Sequence, residues 1–531
     1  MNLKRRISAI LVIAVMAGGL FGAGKAGLLK ISPAEEAQKS EESLFGHKDT
    51  VYLWYTDEAL TDYLNSVAVS YNETKKDVRV IPVYTSGLEY LETINQASLQ
   101  SESVPDLYII GNDSLEKAYL AGLASEIKEP KNVPNMRDIS EYFPDASIRA
   151  VTYHEKQIGY PFYFETSSFL YNKTYLEDWA KAQIEAEADA AEGEAAQEEA
   201  DNGGEPSQDE TDDSGKAAQE EADNRSETQQ EETADNSEAI AAKMEEALPK
   251  TIDDILSFAD MYDAPEQVEA VFKWDVSDIF YNYFFVGNYI DVGGRNGDDE
   301  ESINIYNESA IRCMRVYQNL NQFFSIDTAE ISYDDVLQDF IDGKIVYTVA
   351  TTDALTKVEE AKKNGEFHYE YGTSVLPDVS EVLLSQSLSV TQTIVVNGYS
   401  EHKEVANDFA VYLTCFNSDT LYDRTGKVPA LKGVAITNPN ADAFIQEYVK
   451  SVPIPKMIET SNYWVELEIA FSQIWDGNDV NQDLKALSEK IKGQIAGEAY
   501  TEEYIDVPEE VEVSEEASEE ILEENTSEET E

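Results

Sequence analysis

Side chains that commonly carry catalysis or hold metal ions are few in this sequence, and they are scattered. The four histidines have none of the spacings that hold a metal ion; they are His47, His154, His368 and His402. No glycine-rich phosphate loop follows a predicted strand, and no nucleophile elbow is present. The acidic turns Asp291–Glu301 and Asp476–Asp483 lack the alternating ligands and the sixth-place glycine of a calcium loop. The sequence therefore predicts no catalytic residue, no metal site and no cofactor, and we expect no enzymatic activity.

The charge balance of the sequence argues against further classes of partner and activity. The chain of 531 residues has 105 Asp and Glu against 39 Lys and Arg, a formal net charge of −66. Such a polyanion is repelled by phosphate backbones and by anionic bilayers, so we expect no nucleic-acid partner. In so acidic a chain, carboxylate pairs arise by chance and do not indicate a glycosidase.

Two cysteines, Cys313 and Cys415, occur in helix-like apolar patterns. This placement favours buried free thiols, and a single bridge between the two is the alternative.

The first residues indicate export. Lys4, Arg5 and Arg6 precede an uncharged run from Ile7 to Gly24, the pattern of an export signal. The run is also as long as a short membrane span, so residues 1–30 are an export signal or an N-terminal membrane anchor. Residues 31–47 form a polar spacer. We expect the protein at the extracellular face of the cytoplasmic membrane, either anchored or secreted.

Two further segments have compositions typical of unfolded chain. Residues 182–243 are rich in Glu, Ala, Asp and Gln and repeat the octapeptide AAQEEADN at Ala195–Asn202 and Ala217–Asn224. Residues 498–531 form an acidic tail. Neither segment buries enough apolar area to offset chain entropy, which predicts a disordered insert and a disordered tail. The insert is interpreted as a solvated spacer; weak divalent-cation binding and partial helix are the alternatives.

The remaining chain alternates β-rich runs with amphipathic helices, which predicts an α/β fold. Thr50–Tyr55 is a predicted strand, and Glu58–Tyr71 a helix with Leu60, Leu64, Val67 and Tyr71 on one face. Further strands are predicted at Val78–Val83, Asp106–Ile110, Lys344–Ala350 and Gln392–Asn397. A helix, a turn and a second helix are predicted over Trp464–Ile495.

Eight stretches, taken in order, resemble the maltose-binding-protein class of extracellular solute-binding proteins, which serve ABC importers. The most specific is Gln157–Lys173, QIGYPFYFETSSFLYNK, similar to the family strand that crosses between lobes and ends in a YNK turn. The other seven are Thr50–Asp57, Val104–Leu123, Ala247–Phe258, Phe340–Ala350, Tyr371–Pro377, Val405–Cys415 and Leu421–Pro429.

The resemblance implies a two-lobed, type II periplasmic-binding-protein-like fold with hinge-crossing strands and a central ligand cleft. It places residues 48–163 and 388–436 in lobe 1 and residues 164–181, 244–387 and 437–497 in lobe 2. The implied partners are a small molecule, most simply a sugar, and membrane permease subunits, with the protein itself a monomer. Loops at the carboxyl ends of the strands should face the ligand. The expected ligand-binding residues are Tyr55, Asp57, Glu58, Asn112, Asp113, Tyr163, Glu165, Asp353, Tyr463 and Trp464.

Several of these positions have a structural alternative. Tyr463 and Trp464 open an amphipathic helix and can pack in the core, Asp57 and Asp113 can cap helices, and Glu165 can pair with a base at the hinge. The sequence also departs from the maltodextrin-binding pattern, with Ile110 in place of an aromatic platform, Ser114 in place of a basic residue, and Thr352 and Asp353 where Trp is typical. These departures favour a different sugar or a cationic ligand. An envelope sensory or structural protein on the same fold is the second hypothesis.

Overall fold

A computed structural model describes residues 49–100, 104–127, 139–201, 237–458 and 462–508. The predicted signal or anchor (1–30) and the spacer (31–47) lie outside these residues. Within the described ranges, no helix is long and apolar enough to cross a membrane.

Fourteen strands occur in the described residues, most of them in one continuous sheet system. They are β1 (Asp49–Tyr55), β2 (Val78–Tyr84), β3 (Leu107–Gly111), β4 (Thr152–Tyr153), β5 (Lys156–Gln157), β6 (Tyr160–Asn172), β7 (Ala270–Phe272), β8 (Asp291–Val292), β9 (Ile303–Asn304), β10 (Ile345–Thr351), β11 (Tyr371–Ser374), β12 (Leu388–Val396), β13 (Val428–Pro429) and β14 (Val452–Pro453).

Helices cover the sheets and connect their strands. They are α1 (Thr61–Thr74), α2 (Tyr90–Gln100), α3 (Leu115–Leu120), α4 (Asp145–Val151), α5 (Lys173–Asp201), α6 (237–246), α7 (Ile252–Met261), α8 (Glu308–Phe324), α9 (Tyr333–Ile341), α10 (Ala354–Asn364), α11 (Lys403–Phe416), α12 (Leu421–Thr425), α13 (Ala441–Lys450), α14 (Tyr463–Trp475) and α15 (Val480–Ala496). Short 3₁₀ turns include Glu58–Leu60, Asn112–Ser114, Ile279–Tyr281 and Tyr283–Phe285.

Strand β6 belongs to both halves of the sheet system. Its first part pairs antiparallel with β12, from Tyr160 opposite Ile394 to Thr166 opposite Ser389. From Ser167 onwards the same strand pairs antiparallel with β10 and β11 instead. The strand order β2-β1-β3-β12-β6-β10-β7 therefore divides into two sheets at β6, which gives the two-lobed arrangement predicted from the resemblance.

The predicted elements are confirmed with small shifts at their ends. In β1 the side chains alternate, with Val51, Leu53 and Tyr55 buried, because successive residues of a strand point to opposite faces. The helix predicted from Glu58 begins as a 3₁₀ turn and continues as α1, and all four residues of its predicted apolar face are buried. Strands β1 to β3 are parallel, as expected for βαβ units, whereas β12 runs antiparallel to β3 and to β6.

The prediction of a disordered insert over residues 182–243 is wrong at both ends of that segment. Helix α5 continues to Asp201, and residues 237–246 form helix α6; residues 202–236 lie outside the described chain. Alanine and glutamate favour helix strongly enough to extend α5. An ion pair of 2.9 Å between Lys243 and Glu187 joins the two helices, and Met244 packs against the second lobe's core.

The disordered tail predicted from residue 498 is also corrected, for residues up to 508. Val507 is buried in the core of the second lobe. Arg315 on α8 donates to the carbonyls of Val507 and Pro508 at 2.9 Å each, and Asn481 on α15 donates to the Ile505 carbonyl at 2.7 Å. These contacts hold the segment because its apolar residues have a surface to cover.

Cys313 and Cys415 are free thiols. Cys313 is buried in the second core, and Cys415 packs against the first. The bridge between them, the alternative in the sequence, does not form.

Helix α13 contacts both lobes, although the sequence places it in lobe 2. The Tyr448 ring stacks on Phe164 with centroids 3.8 Å apart, and its hydroxyl lies 2.8 Å from Ser147 Oγ on α4. On the other side, Glu447 Oε1 accepts from the Leu376 amide at 2.8 Å, in the segment after β11. The helix therefore braces the junction beside β6.

The segment after α13 returns across the junction and contains a buried lysine. Lys456 is 1% exposed, and its Nζ donates to the carbonyls of Arg149, at 3.0 Å, and Asn296. Desolvation lowers the pKa of Lys456 to about 7, against opposing effects of Asp298 and Glu116. Burial of an ammonium disfavours its charged form in this way.

Lys456 should make stability rise with pH. Because its pKa is about 7 in the folded protein and near 10.5 when unfolded, the unfolded chain binds more protons between these values, and the free energy of unfolding increases with pH there. Replacement Lys456→Met should flatten this rise between about pH 7 and about pH 9. Urea unfolding at several pH values measures it, with the exposed Lys363→Met as control. Equal slopes in both variants would contradict the prediction.

Candidate ligand-binding site

A groove of about 540 Å³ lies where the two sheets share β6. Residues from both sheets, from the aromatic segment after β7, and from the segment after β14 line it. They are Glu165, Asp278, Ile279, Phe280, Tyr281, Tyr333, Thr351, Thr352, Asp353, Leu388, Val390, Ile454 and Trp464.

One wall begins at the carboxyl end of β10. Asp353 precedes α10, and its Oδ1 accepts hydrogen bonds from the Tyr333 hydroxyl, at 2.9 Å, and from Thr351. Its Oδ2 pairs with Lys357 Nζ at 2.9 Å, one helical turn further on. These contacts orient the carboxylate and compensate its charge.

The adjoining wall is aromatic. The Tyr281 and Tyr333 rings stack with centroids 4.6 Å apart, and Trp464 packs on Tyr283 at 5.8 Å. The backbone of this wall is fixed by Asn282, which is fully buried. Asn282 accepts from Trp274 Nε1 at 2.8 Å and donates to the carbonyls of residues 275 and 278, at 2.8 and 2.7 Å.

Asp278 stands at the start of this aromatic wall. Its Oδ1 accepts from the Phe280 amide at 2.8 Å and so caps the turn Ile279–Tyr281. Desolvation is the main cause that raises the pKa of Asp278, with a smaller contribution from Asp275. The Asp278 carboxylate therefore lines the groove although burial disfavours its charged form.

The first lobe contributes a chain of charges around Lys427. Its Nζ lies 2.9 Å from Asp57 Oδ2 and 3.9 Å from Glu165 Oε1, and 5.4 Å from the centre of the Tyr163 ring. The Tyr163 hydroxyl reaches Asp57 at 3.5 Å. The sequence left open that Glu165 pairs with a base at the hinge. The structure contains such a pair with Lys427, but at the long distance of 3.9 Å.

The side chain of Glu165 is open to the groove but enclosed on its other sides. It is 42% exposed, and desolvation by the surrounding walls raises its pKa, while Lys427 opposes this effect and Asp353 and Asp57 add to it. A carboxylate in this setting is accessible to a ligand while being poorly hydrated.

Of the ten expected binding residues, three line the groove: Glu165, Asp353 and Trp464. Asp57 and Tyr163 lie next to it through Lys427, and Asp57 also caps the turn after β1 through the Ala59 amide at 3.0 Å. Glu58 is exposed beside that cap.

Asn112 and Asp113 follow β3 but have different surroundings. Asn112 is fully buried: it donates to the Ile454 carbonyl at 2.8 Å, and its Oδ1 accepts from the Thr391 amide at 2.8 Å. Both of its polar atoms are thus used to hold the groove's backbone. The Asp113 side chain is accessible to water and does not line the groove, and desolvation by its neighbours raises its pKa.

Tyr55 and Tyr463 lie in the cores and do not line the groove. Tyr55 is 2% exposed, and its hydroxyl donates to Thr61 at 3.0 Å. Tyr463 is completely buried beside Trp464, with ring centroids 4.8 Å apart. The helical period explains the difference, since neighbouring residues of α14 face about 100° apart and one packs inward while the other reaches the groove.

Sequence reasoning missed most of the aromatic wall. The stretch 279–285 reads IFYNYFF, and such density of apolar rings indicates a core strand or helix as readily as a binding surface. Tyr333 begins α9 and gives no local signal at all. Lys427 lies in a stretch that the resemblance identified only as a turn.

The arrangement is suited to binding. The lining residues combine three carboxylates with aromatic rings and contain no lysine or arginine. Among the described residues, no group of three or more His, Cys, Asp or Glu side chains is placed to hold a metal ion. Aromatic faces beside hydrogen-bond acceptors are typical of sites for polar small molecules with apolar faces.

Comparison with known proteins supports the same class. Residues 236–450 match the family of bacterial extracellular solute-binding proteins. The resemblance to the solute-binding proteins is confirmed. A search of curated proteins gives no match.

Solved structures of solute-binding proteins share the fold of nearly the whole described chain. An extracellular solute-binding protein from Staphylococcus aureus, in complex with maltose, is 17% identical with a TM-score of 0.63, over 85% of this chain and 99% of that one. The maltose-binding periplasmic protein from Listeria monocytogenes is 19% identical with a TM-score of 0.62, over 86% and 100%. The maltotriose-binding protein of Thermus thermophilus is 17% identical with a TM-score of 0.54, over 84% and 99%. At these identities the likeness shows the two-lobed solute-binding fold.

The aromatic wall of the groove should be sensitive to added volume behind it. Gly287 is buried, and a Cβ there would lie 2.0 Å from the Gln386 carbonyl oxygen and 3.0 Å from the Tyr283 ring. Gly287→Ala should lower the free energy of unfolding by about 1–3 kcal/mol through overpacking. The control Gly87→Ala, whose Cβ meets its first neighbour at 3.8 Å, should change it by less than about 0.5 kcal/mol. Urea denaturation compares the two, and equal effects would contradict the prediction.

Proposed function

We propose that this protein is the extracytoplasmic receptor of an ABC import system and binds a sugar or oligosaccharide between its lobes. The observation that carries the proposal is the groove at the shared strand, with Trp464 and the stacked Tyr281 and Tyr333 beside three carboxylates. Pyranose rings present C–H patches to aromatic faces and hydroxyls to carboxylate acceptors. Three structurally similar proteins are bound to maltose or maltotriose.

Hinge closure is the proposed mechanism. Ligand contacts made to both lobes favour a closed arrangement over an open one. The lobes are 48–163 with 388–436, and 164–181, 244–387 and 437–497, now joined by α13 and by the change of partners within β6. Glu165 and Val390 lie on strands β6 and β12 at the junction, while Asp353 and Trp464 belong to the second lobe.

The remaining parts of the proposal follow from the same class. A receptor of this kind acts without catalysis, delivers its ligand to membrane permease subunits, and works as a monomer at the outer face of the membrane with no nucleic-acid partner. The family match favours transport over an envelope sensory or structural role.

Ligand binding should stabilise the protein and depend on Trp464. At a ligand concentration 100 times its dissociation constant, binding adds about 2.7 kcal/mol to the free energy of unfolding, so maltose, maltotriose and other oligosaccharides should raise the melting temperature of the full chain. Trp464→Ala should weaken binding roughly tenfold, about 1.4 kcal/mol. Val465→Ala, at an exposed neighbour on α14, should bind normally. Absence of any shift across a broad sugar panel would argue against the proposal.

A further inference from the structure

The carboxylates of the groove differ in how far their charge is compensated. Asp353 is paired with Lys357 at 2.9 Å and accepts two hydroxyl hydrogen bonds. Glu165 has, among the described residues, a single long ion pair of 3.9 Å, because Lys427 lies closer to Asp57. Asp278 accepts a backbone amide and has no ion pair within the described chain. Two negative charges therefore remain uncompensated at the groove.

Hydroxyl groups of a neutral sugar would not supply this missing charge. A carboxylate taken partly out of water costs free energy unless a cation or several hydrogen bonds replace its hydration. The walls here desolvate Glu165 and Asp278, and the carboxylates Asp57, Asp353 and Asp275 add repulsion. A bound cation would relieve both the desolvation and the repulsion.

The aromatic side of the groove is compatible with such a ligand. The stacked rings of Tyr281 and Tyr333 and the indole of Trp464 line the same cavity as Glu165 and Asp278. Aromatic faces attract ammonium groups, by about 0.5–2 kcal/mol according to the degree of desolvation, and they also accept the C–H face of a sugar ring. A sugar that carries an ammonium group uses both features at once.

We propose that the groove is selective for a cationic sugar, namely an oligosaccharide with free amino groups. Glu165 and Asp278 would bind its ammonium groups. This inference rests on the proposed function, since it names the class of sugar that the same groove binds. Of the departures from the maltodextrin-binding pattern, Thr352 and Asp353 line this same groove.

Three trisaccharides test the inference by calorimetric titration of the full chain: a β-1,4-linked glucosamine trimer, its N-acetylated counterpart and maltotriose. Spermidine is the fourth probe and carries ammonium groups without a sugar ring. We expect the glucosamine trimer to bind at least tenfold more tightly than the N-acetylated one, and its affinity to fall as sodium chloride rises from about 0.05 to about 0.5 M, because salt screens exposed charge pairs.

Variants that remove charge but keep shape identify the residues. Glu165→Gln and Asp278→Asn should each lower the affinity for the glucosamine trimer about tenfold more than they lower the affinity for maltotriose. Asn at 278 retains the cap on the Phe280 amide, and melting temperatures check that both variants are folded. Asp253→Asn, at an exposed carboxylate in the first turn of α7, is the matched control and should change nothing.

The outcomes separate the inference from the function on which it rests. If the neutral trisaccharides bind as tightly as the glucosamine trimer or more tightly, the cationic preference is wrong, whereas the proposed sugar binding is supported. Binding of spermidine without binding of any sugar overturns the sugar class and with it both proposals. No binding by any probe argues against both as well.

Discussion

The structure depends on the change of partners within one strand. Between Thr166 and Ser167, β6 leaves β12 and begins to pair with β10 and β11, so a single backbone belongs to two sheets. Since each ladder fixes the strand's register by its own hydrogen bonds, the sheets cannot separate and can only reorient about this point. Glu165 lies just before the switch, and the groove opens beside it. The position of the groove is therefore a consequence of sheet topology.

The same constraint explains why the charged groups of the groove are held firmly. Glu165 lies on the shared strand, and the Phe280 amide orients Asp278. Tyr333, Thr351 and Lys357 orient Asp353. Asn112 and Asn282, both fully buried, use their amide groups to fix the backbone on either side. Preorganised carboxylates of this kind do not have to be ordered by the ligand, which reduces the entropic cost of binding. Their desolvation is in place before the ligand arrives.

Helix α5, which leads into the acidic insert, begins at a distance from the groove. It starts where β6 ends at Asn172, seven residues beyond Glu165, or roughly 23 Å along the strand. This distance exceeds the Debye length of about 8 Å at physiological ionic strength. Charges at the start of α5 therefore have a small influence on Glu165. Arg315 and Asn481 hold residues 505–508 against the second core.

The sequence alone determined the elements and their class, because alternation in β1 and the apolar face of α1 depend only on local geometry and burial. Its ordered motifs also indicated the two lobes and the crossing strand. Of the binding residues expected from the sequence, Glu165, Asp353 and Trp464 line the groove. The sequence could not distinguish Trp464 from Tyr463, because the two are neighbours on one helix and only the packing shows which of them is buried. The insert and tail were misjudged at their edges, since composition does not reveal a neighbouring surface such as that offered to Val507. Only the tertiary structure brought Tyr333 to Tyr281 and placed Lys427 nearer to Asp57 than to Glu165. Both contacts depend on distances between residues that are far apart in the chain, and no local sequence pattern encodes such distances.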